Sequence, residues 1–144
     1  MASVVGSHLV KRLIKDNEVA IIDKKSTGTL ENIFHLTSEN LRVIEGDITT
    51  LDLAMIFEGY DYVLYQATLP SIPRSVKDQF SSHEANITGT LRVLIAAKDA
   101  DIKKVFYASS SSVYSDTPEL PKREGMPVNP LSPYAITKAA GEGP

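Results

Sequence analysis

The chain has 144 residues, 42% hydrophobic, 23% charged and 7% aromatic, the make-up of one soluble globular domain rather than of a disordered tail or a membrane span. Fifteen basic against eighteen acidic side chains leave a net charge of −3, which gives no electrostatic footprint for a phosphate backbone, so no nucleic acid is expected as partner. With no cysteine, disulfide scaffolds, cysteine nucleophiles and thiolate metal sites fall away. The apolar stretches are far shorter than the roughly 20 residues a bilayer requires, and no signal-like N-terminus is present, so no membrane and a cytoplasmic location are expected.

In chain order, short β-branched runs alternate with longer amphipathic segments, the pattern of βαβ units and hence of an α/β fold with a parallel sheet. Val5, Leu9, Val10, Leu13 and Ile14 recur at helical spacing, predicting a helix from about Gly6 to Asp16. Val19 to Asp23 reads as a buried strand, and Ser26 to Ser38 as a loop with one short helix. A second strand follows at Leu41 to Glu45, ending in Gly46-Asp47, then a helix over Asp52 to Phe57. The third strand spans Tyr62 to Ala67 and is closed by a loop through Pro70 and Pro73. A long helix is predicted from about Ser82 to Asp99, and a fourth strand, Val105 to Ala108, runs into four consecutive serines. Asp116 to Pro133 carries five prolines and reads as an extended surface loop that something must hold in place. Ser132-Pro133-Tyr134 then starts a helix: serine is a good N-cap, and proline at the first helical position loses no hydrogen bond.

Three features ask for a chemical reading. Asp23 closes a strand seventeen positions after Gly6, near the spacing at which a dinucleotide-binding unit places an acid on the adenosine ribose. Aspartate is also common at strand ends, and Lys24 and Lys25 beside it would tolerate a 2′-phosphate. Tyr134 and Lys138 lie four apart on one helix face, where an ammonium can stabilise a phenolate base; an ordinary surface pair has the same spacing. Ser110 follows a buried strand at its carboxyl end, where parallel sheets meet their ligands, although four serines also suit a flexible connector. Of the remaining residues, Arg74 could grip a diphosphate bidentately or simply be solvated. Asn86, followed by Gly89 and Thr90, could hold a polar group near a site or belong to a closely packed helix. His8, His35 and His83 lack metal-ligand spacing, so no metal is expected.

Taken together, Gly6-Ser-His-Leu, Asp23 with Ser26-Thr-Gly28, Gly46-Asp47-Ile48, Ser71-Ile-Pro-Arg-Ser75, Asn86-Ile-Thr-Gly-Thr90, Ala108-Ser-Ser-Ser-Ser-Val-Tyr114 and Ser132-Pro-Tyr-Ala-Ile-Thr-Lys138 resemble, in order and spacing, the extended short-chain dehydrogenase/reductase family. Within it the chain is similar to the NAD-dependent UDP-sugar 4-epimerases. The resemblance implies a Rossmann-like doubly wound parallel sheet, with residues 1–144 forming a partial NAD(P)-binding domain. It implies Tyr134 as acid/base at the sugar C4 hydroxyl, Lys138 as its electrostatic partner and ribose ligand, and Ser110 on the same hydroxyl. It places Gly6, Asp23, Asp47, Ile48, Ala67 and Asn86 with Tyr134 and Lys138 around NAD, and Ser71, Arg74 and Ser110 against the UDP-sugar. A homodimer formed through a helix pair is implied, and the helix at Ser82 to Asp99 could serve.

Departures from the family pattern shape further expectations. Dehydratases of the family place an Asp-Glu pair where this chain has Ser111 and Ser112, which favours epimerase chemistry. Met1 and Ser3 stand where two more glycines of the phosphate loop belong, and only Gly6 is retained, so the pyrophosphate cradle is expected to be weakened. The family's first strand is absent. In a sheet of order 3-2-1-4-5-6 that strand is central, so its neighbours are expected to keep unpaired edges prone to association. The substrate-binding half is absent as well, and little or no turnover is expected of these residues alone. The competing readings are a non-catalytic dinucleotide-binding or interaction module, and a dehydratase or reductase acting on another nucleotide sugar.

Overall fold

The computed structural model describes residues 4–25 and 38–142; the expected loop and short helix from Ser26, together with Ser26-Thr-Gly28, His35, Met1 and Ser3, fall outside the described residues, apart from Ser38 itself. The chain falls into two compact units, Met1–Asp52 and Leu53–Pro144.

In the first unit, helix α1 (Val4–Leu13) is followed by strands β1 (Val19–Asp23) and β2 (Leu41–Glu45). The strands pair in parallel, in register from Val19 opposite Leu41 to Asp23 opposite Glu45. Their β-branched residues, Val19, Ile21 and Ile22 in β1 and Val43 and Ile44 in β2, suit a pleated, half-buried surface. Val10 of α1 and Ile21 of β1 form the buried centre, with Ile14, Val19 and Leu41 packed round it; burying each of the two fully stabilises by about 1.5–3 kcal/mol. The helix starts two residues before Gly6 and loses its regular hydrogen bonding after Leu13, where Asn17 N–H still bonds back to the Leu13 carbonyl at 3.1 Å.

The second unit begins with α2 (Leu53–Phe57), which packs on a later helix, α5 (Gly89–Asp99). Strand β3 (Tyr62–Tyr65) pairs in parallel with β4 (Lys104–Tyr107), from Tyr62 opposite Lys104 to Tyr65 opposite Tyr107. Among the described residues each of the four strands thus has one hydrogen-bonded neighbour. Strand β3 ends two residues earlier than the sequence suggests, which puts Ala67 in the loop that follows.

The expected Pro70 to Pro73 loop contains a helix instead, α3 (Ile72–Lys77). Ser71 Oγ accepts the Arg74 N–H at 3.3 Å, and Pro73 lies in the first turn, where its missing N–H costs nothing. The long predicted helix also differs. It begins as α4 (Gln79–His83), capped by the Asp78 carboxylate on Ser81 N–H at 3.1 Å, widens into a π-helical turn at Glu84–Thr88, and continues as α5.

The polyserine segment is ordered. Ser110 Oγ accepts the Ser112 N–H at 3.2 Å and caps a 3₁₀ turn at Ser111–Tyr114. The proline-rich loop is held by bonds from Asn129 N–H to the Val113 carbonyl (2.8 Å) and from Leu131 N–H to Ser115 Oγ (2.9 Å), with Met126 buried. Helix α6 (Pro133–Ala140) begins where the sequence places it, with Ser132 Oγ accepting the Ala135 N–H at 3.1 Å.

Candidate functional site

In the first unit the candidate residues gather at the carboxyl ends of β1 and β2. Asp23 is half-buried, and its Oδ1 accepts the Lys25 N–H at 2.6 Å, fixing the turn in which Lys25 takes a positive φ of 57°. Asp47 Oδ1 accepts both the Thr49 N–H (2.9 Å) and the Thr49 hydroxyl (2.8 Å), and Oδ2 meets Lys24 Nζ at 3.0 Å. Burial works to raise the Asp47 pKa, but the Thr49 bonds and the Lys24 charge outweigh it and hold the carboxyl below its ordinary value. Lys25 pairs with Glu45. Both lysines beside Asp23 are therefore matched by carboxylates, which leaves little positive charge to welcome a 2′-phosphate. Gly6 is buried in the first turns of α1, and Ile48 sits half-buried next to Asp47.

In the second unit the polar framework is built around α6. Lys138 is 3% exposed, so the reading as an ordinary surface pair fails for its lysine. Its Nζ donates to the Ala108 carbonyl at 2.8 Å and lies 4.9 Å from the centre of the Tyr107 ring. Desolvation lowers the ammonium pKa to about 8. Tyr107, whose hydroxyl donates to the Lys138 carbonyl at 3.3 Å, is pushed up to about 12, first by burial and then by the neighbouring Tyr65, Tyr134 and Glu142. Strand β4 thus ends directly against the lysine, and the serine turn that follows it contains Ser110, half-buried and joined to the Ser112 hydroxyl at 2.9 Å. Tyr134 is half-buried one turn before Lys138 on the same helix.

Asn86 is 2% exposed, at the centre of the π turn. Its Oδ1 accepts from Leu69 N–H (2.8 Å) and the Thr68 hydroxyl (3.0 Å), and its Nδ2 donates to Thr137 Oγ1 (3.1 Å) and the Leu69 carbonyl (3.4 Å). Every hydrogen-bonding position of the amide is taken within the protein. Asn86 thereby ties the loop after β3, which holds Ala67, to the residue preceding Lys138. The widened turn aims the amide at both partners, in keeping with the placing of such bulges at functional sites. Gly89 and Thr90 are buried on the same helical stretch, Thr90 Oγ1 donating to the Tyr65 hydroxyl at 3.3 Å. Ser71 and Arg74 are exposed, Ser71 at a positive φ of 116°, a conformation that costs on the order of 1–3 kcal/mol and gathers at ligand-binding segments.

Two features escape sequence reasoning. One is Ser75, with no exposed surface, whose hydroxyl accepts the Tyr134 N–H at 3.1 Å. The other is Thr137, the Asn86 partner. Ser71-Ile-Pro carries the cap-and-proline signature that identified α6, so the helix bearing Ser75 was detectable; its long-range partner was not.

The chain matches the NAD dependent epimerase/dehydratase family across residues 1–143. It is 37% identical over 146 aligned positions to a UDP-glucose 4-epimerase of Mycolicibacterium smegmatis, covering 98% of this chain and 47% of that protein. Among solved structures it is similar to the UDP-N-acetylglucosamine 4-epimerase of Methanobrevibacter ruminantium, in complex with UDP-N-acetylmuramic acid, at 43% identity and a TM-score of 0.92, covering 96% of this chain and 44% of that one. It is similar also to the UDP-glucuronic acid 4-epimerase of Bacillus cereus, in complex with UDP-glucuronic acid and NAD, at 32% identity and a TM-score of 0.90, covering 98% and 48%. The chain spans about half the length of these relatives. Parallel strands interleaved with helices, an acid closing β1 and a lysine buried under the end of β4 agree with that likeness at every level, and the chain belongs to the NAD dependent epimerase/dehydratase family.

Proposed function

We propose that these residues supply the NAD-binding part and the acid/base pair of a UDP-sugar 4-epimerase, of the kind that interconverts UDP-glucose and UDP-galactose. The observation that carries the reading is the desolvated Lys138 ammonium, held by Ala108 at the end of β4 and one helical turn from Tyr134.

The side chains present fit NAD. Asp23 offers a carboxylate to ribose hydroxyls, Asp47 and Ile48 flank the adenine side, and buried Gly6 admits a close backbone approach. Glu45 and Asp47, by matching Lys25 and Lys24, favour NAD over its 2′-phosphorylated form. An ammonium has three donors, so the bond to Ala108 leaves Lys138 capacity for a ribose hydroxyl. Ala67 contacts the cofactor, and Asn86 acts on it by fixing the Ala67 loop.

NAD held by these residues would supply the hydride acceptor and donor that oxidation and re-reduction at the sugar C4 require. Tyr134 removes the C4 hydroxyl proton and gives it back, Lys138 supports that removal through its positive charge, and Ser110 hydrogen-bonds the same hydroxyl. Ser71 and Arg74 contact the nucleotide sugar. Ser111 and Ser112, the latter hydrogen-bonded to Ser110, are neutral and so supply no carboxyl pair for dehydration. The exposed apolar side chains Leu91, Leu94 and Ile95 on α5 provide the face for a second copy in a homodimer.

The test is NMR observation of UDP-galactose to UDP-glucose conversion, with NAD present, by a protein extended to its relatives' length, beside its Tyr134→Phe variant. Loss of the hydroxyl is expected to lower turnover at least ~100-fold. A protein that converts no UDP-sugar yet reduces another carbonyl, or one whose turnover ignores Tyr134→Phe, contradicts the proposal.

A further inference from the structure

We propose that Ser75 is the positioning residue for Tyr134, pinning the acid/base to the helix that presents Ser71 and Arg74; the inference rests on the role given to Tyr134 above. The N-terminal turn of α6 has a complete hydrogen-bond account. Pro133 brings no N–H, the Ala135 N–H goes to the Ser132 hydroxyl at 3.1 Å, and the Ile136 N–H goes to the Ser132 carbonyl at 2.9 Å. The N–H left over is that of Tyr134 itself, and its acceptor is Ser75 Oγ at 3.1 Å, fifty-nine positions away on α3. That hydroxyl is fully shielded from solvent and points its own proton at the Ile72 carbonyl at 2.8 Å, so its lone pairs face Tyr134. A donor in such a place, if orphaned, pays the whole desolvation cost of an unmade bond.

The consequence is geometric. A local cap from Ser132 would serve any helix, whereas the Ser75 bond fixes the Tyr134 Cα against a separate element. Ser71 caps that same element, and its strained backbone and the exposed Arg74 lie at the same end. A displacement of the nucleotide-sugar contacts is therefore coupled to the backbone of Tyr134 through this hydroxyl. Reaction rates are steep in such distances.

Amide hydrogen exchange of the full chain by NMR, in wild type, Ser75→Ala and Ser75→Thr, tests the clamp, with the Tyr134 ring signals followed in the same samples. Ser75→Ala is expected to speed Tyr134 N–H exchange about tenfold, leave Ile136 N–H unchanged and shift the Tyr134 ring signals; Ser75→Thr, which keeps the hydroxyl, restores both. If the added methyl prevents folding of the Thr variant, the contrast between Tyr134 and Ile136 in Ser75→Ala decides. Unaltered exchange at Tyr134, or equal acceleration along all of α6, overturns the proposal. In the protein of relatives' length, Ser75→Ala is expected to lower kcat about tenfold with KM for the UDP-sugar held; a loosened Tyr134 N–H with unchanged kcat also overturns it. If the wild type turns over no UDP-sugar, the functional reading fails, while the exchange result still judges the clamp.

Discussion

Around the ends of β1 and β2 the polar side chains are charged and meet near the surface, Lys24 on Asp47 at 3.0 Å and Lys25 on Glu45. Around α6 they are mostly uncharged and buried: Ser75, Ser82, Asn86, Thr90 and Thr137, with Lys138 the one charged side chain buried among the described residues. Half-exposed ion pairs add little stability and are screened by salt. Buried hydrogen bonds are costly to break and fix their members in one geometry. The polar groups of the first unit thus act through charge near solvent, and those of the second through fixed, buried geometry.

The sharpest way to break that contrast is Asn86→Ala. It removes the acceptor of the Leu69 N–H and the Thr68 hydroxyl and the donor to the Leu69 carbonyl together, and is expected to destabilise by about 2–4 kcal/mol, read from denaturant unfolding. A loss under about 1 kcal/mol would place Asn86 with the surface pairs.

Next comes pH. Lys138 keeps its proton to about 8 when folded against the ordinary 10.5, so between those values the unfolded chain binds more protons and stability rises with pH. Tyr107 works the other way, since it holds its proton to about 12 in the fold and loses it near 10 when unfolded. Stability should therefore climb from about pH 8, by on the order of 2–3 kcal/mol before Tyr107 intervenes, and turn over near pH 10. Lys138→Met is expected to abolish the climb in thermal unfolding across that range.

Gly141→Ala tests how tightly the same region is closed. A Cβ there would lie 2.4 Å from the Tyr107 Cζ, and the ring cannot swing freely with its hydroxyl on the Lys138 carbonyl and the Lys138 ammonium against its face. Overpacking of about 1–2 kcal/mol is expected, again from unfolding midpoints. Glu45→Gln should have the smallest effect, under about 0.5 kcal/mol and vanishing in 1 M salt. Its signature should lie in calorimetry, as weaker discrimination between NAD and NADP once Lys25 is released.

Much of this was legible in the residues. All four strands and α6 follow from short β-branched and apolar runs and from the Ser132-Pro133 cap, because both signals are local. The helix at Ile72 was legible but masked: Pro70 and Pro73 read as a loop, although Ser71 with Pro73 carries a cap-and-proline start much like that of α6. Lys138 shows the limit of spacing arguments. Its four-residue distance from Tyr134 identifies the pair, but only the fold puts its ammonium under the Ala108 carbonyl. Ser75 and the π turn at Asn86 lay beyond reach, since each is defined by partners many positions away, Tyr134 in one case and Leu69 and Thr137 in the other.

The buried framework of the second unit delivers a desolvated ammonium one turn from Tyr134. A site-specific NMR titration of the Lys138 side chain tests it most directly. A midpoint near 8 is expected; a midpoint at the ordinary lysine value of 10.5 would show an ammonium that the fold does not desolvate.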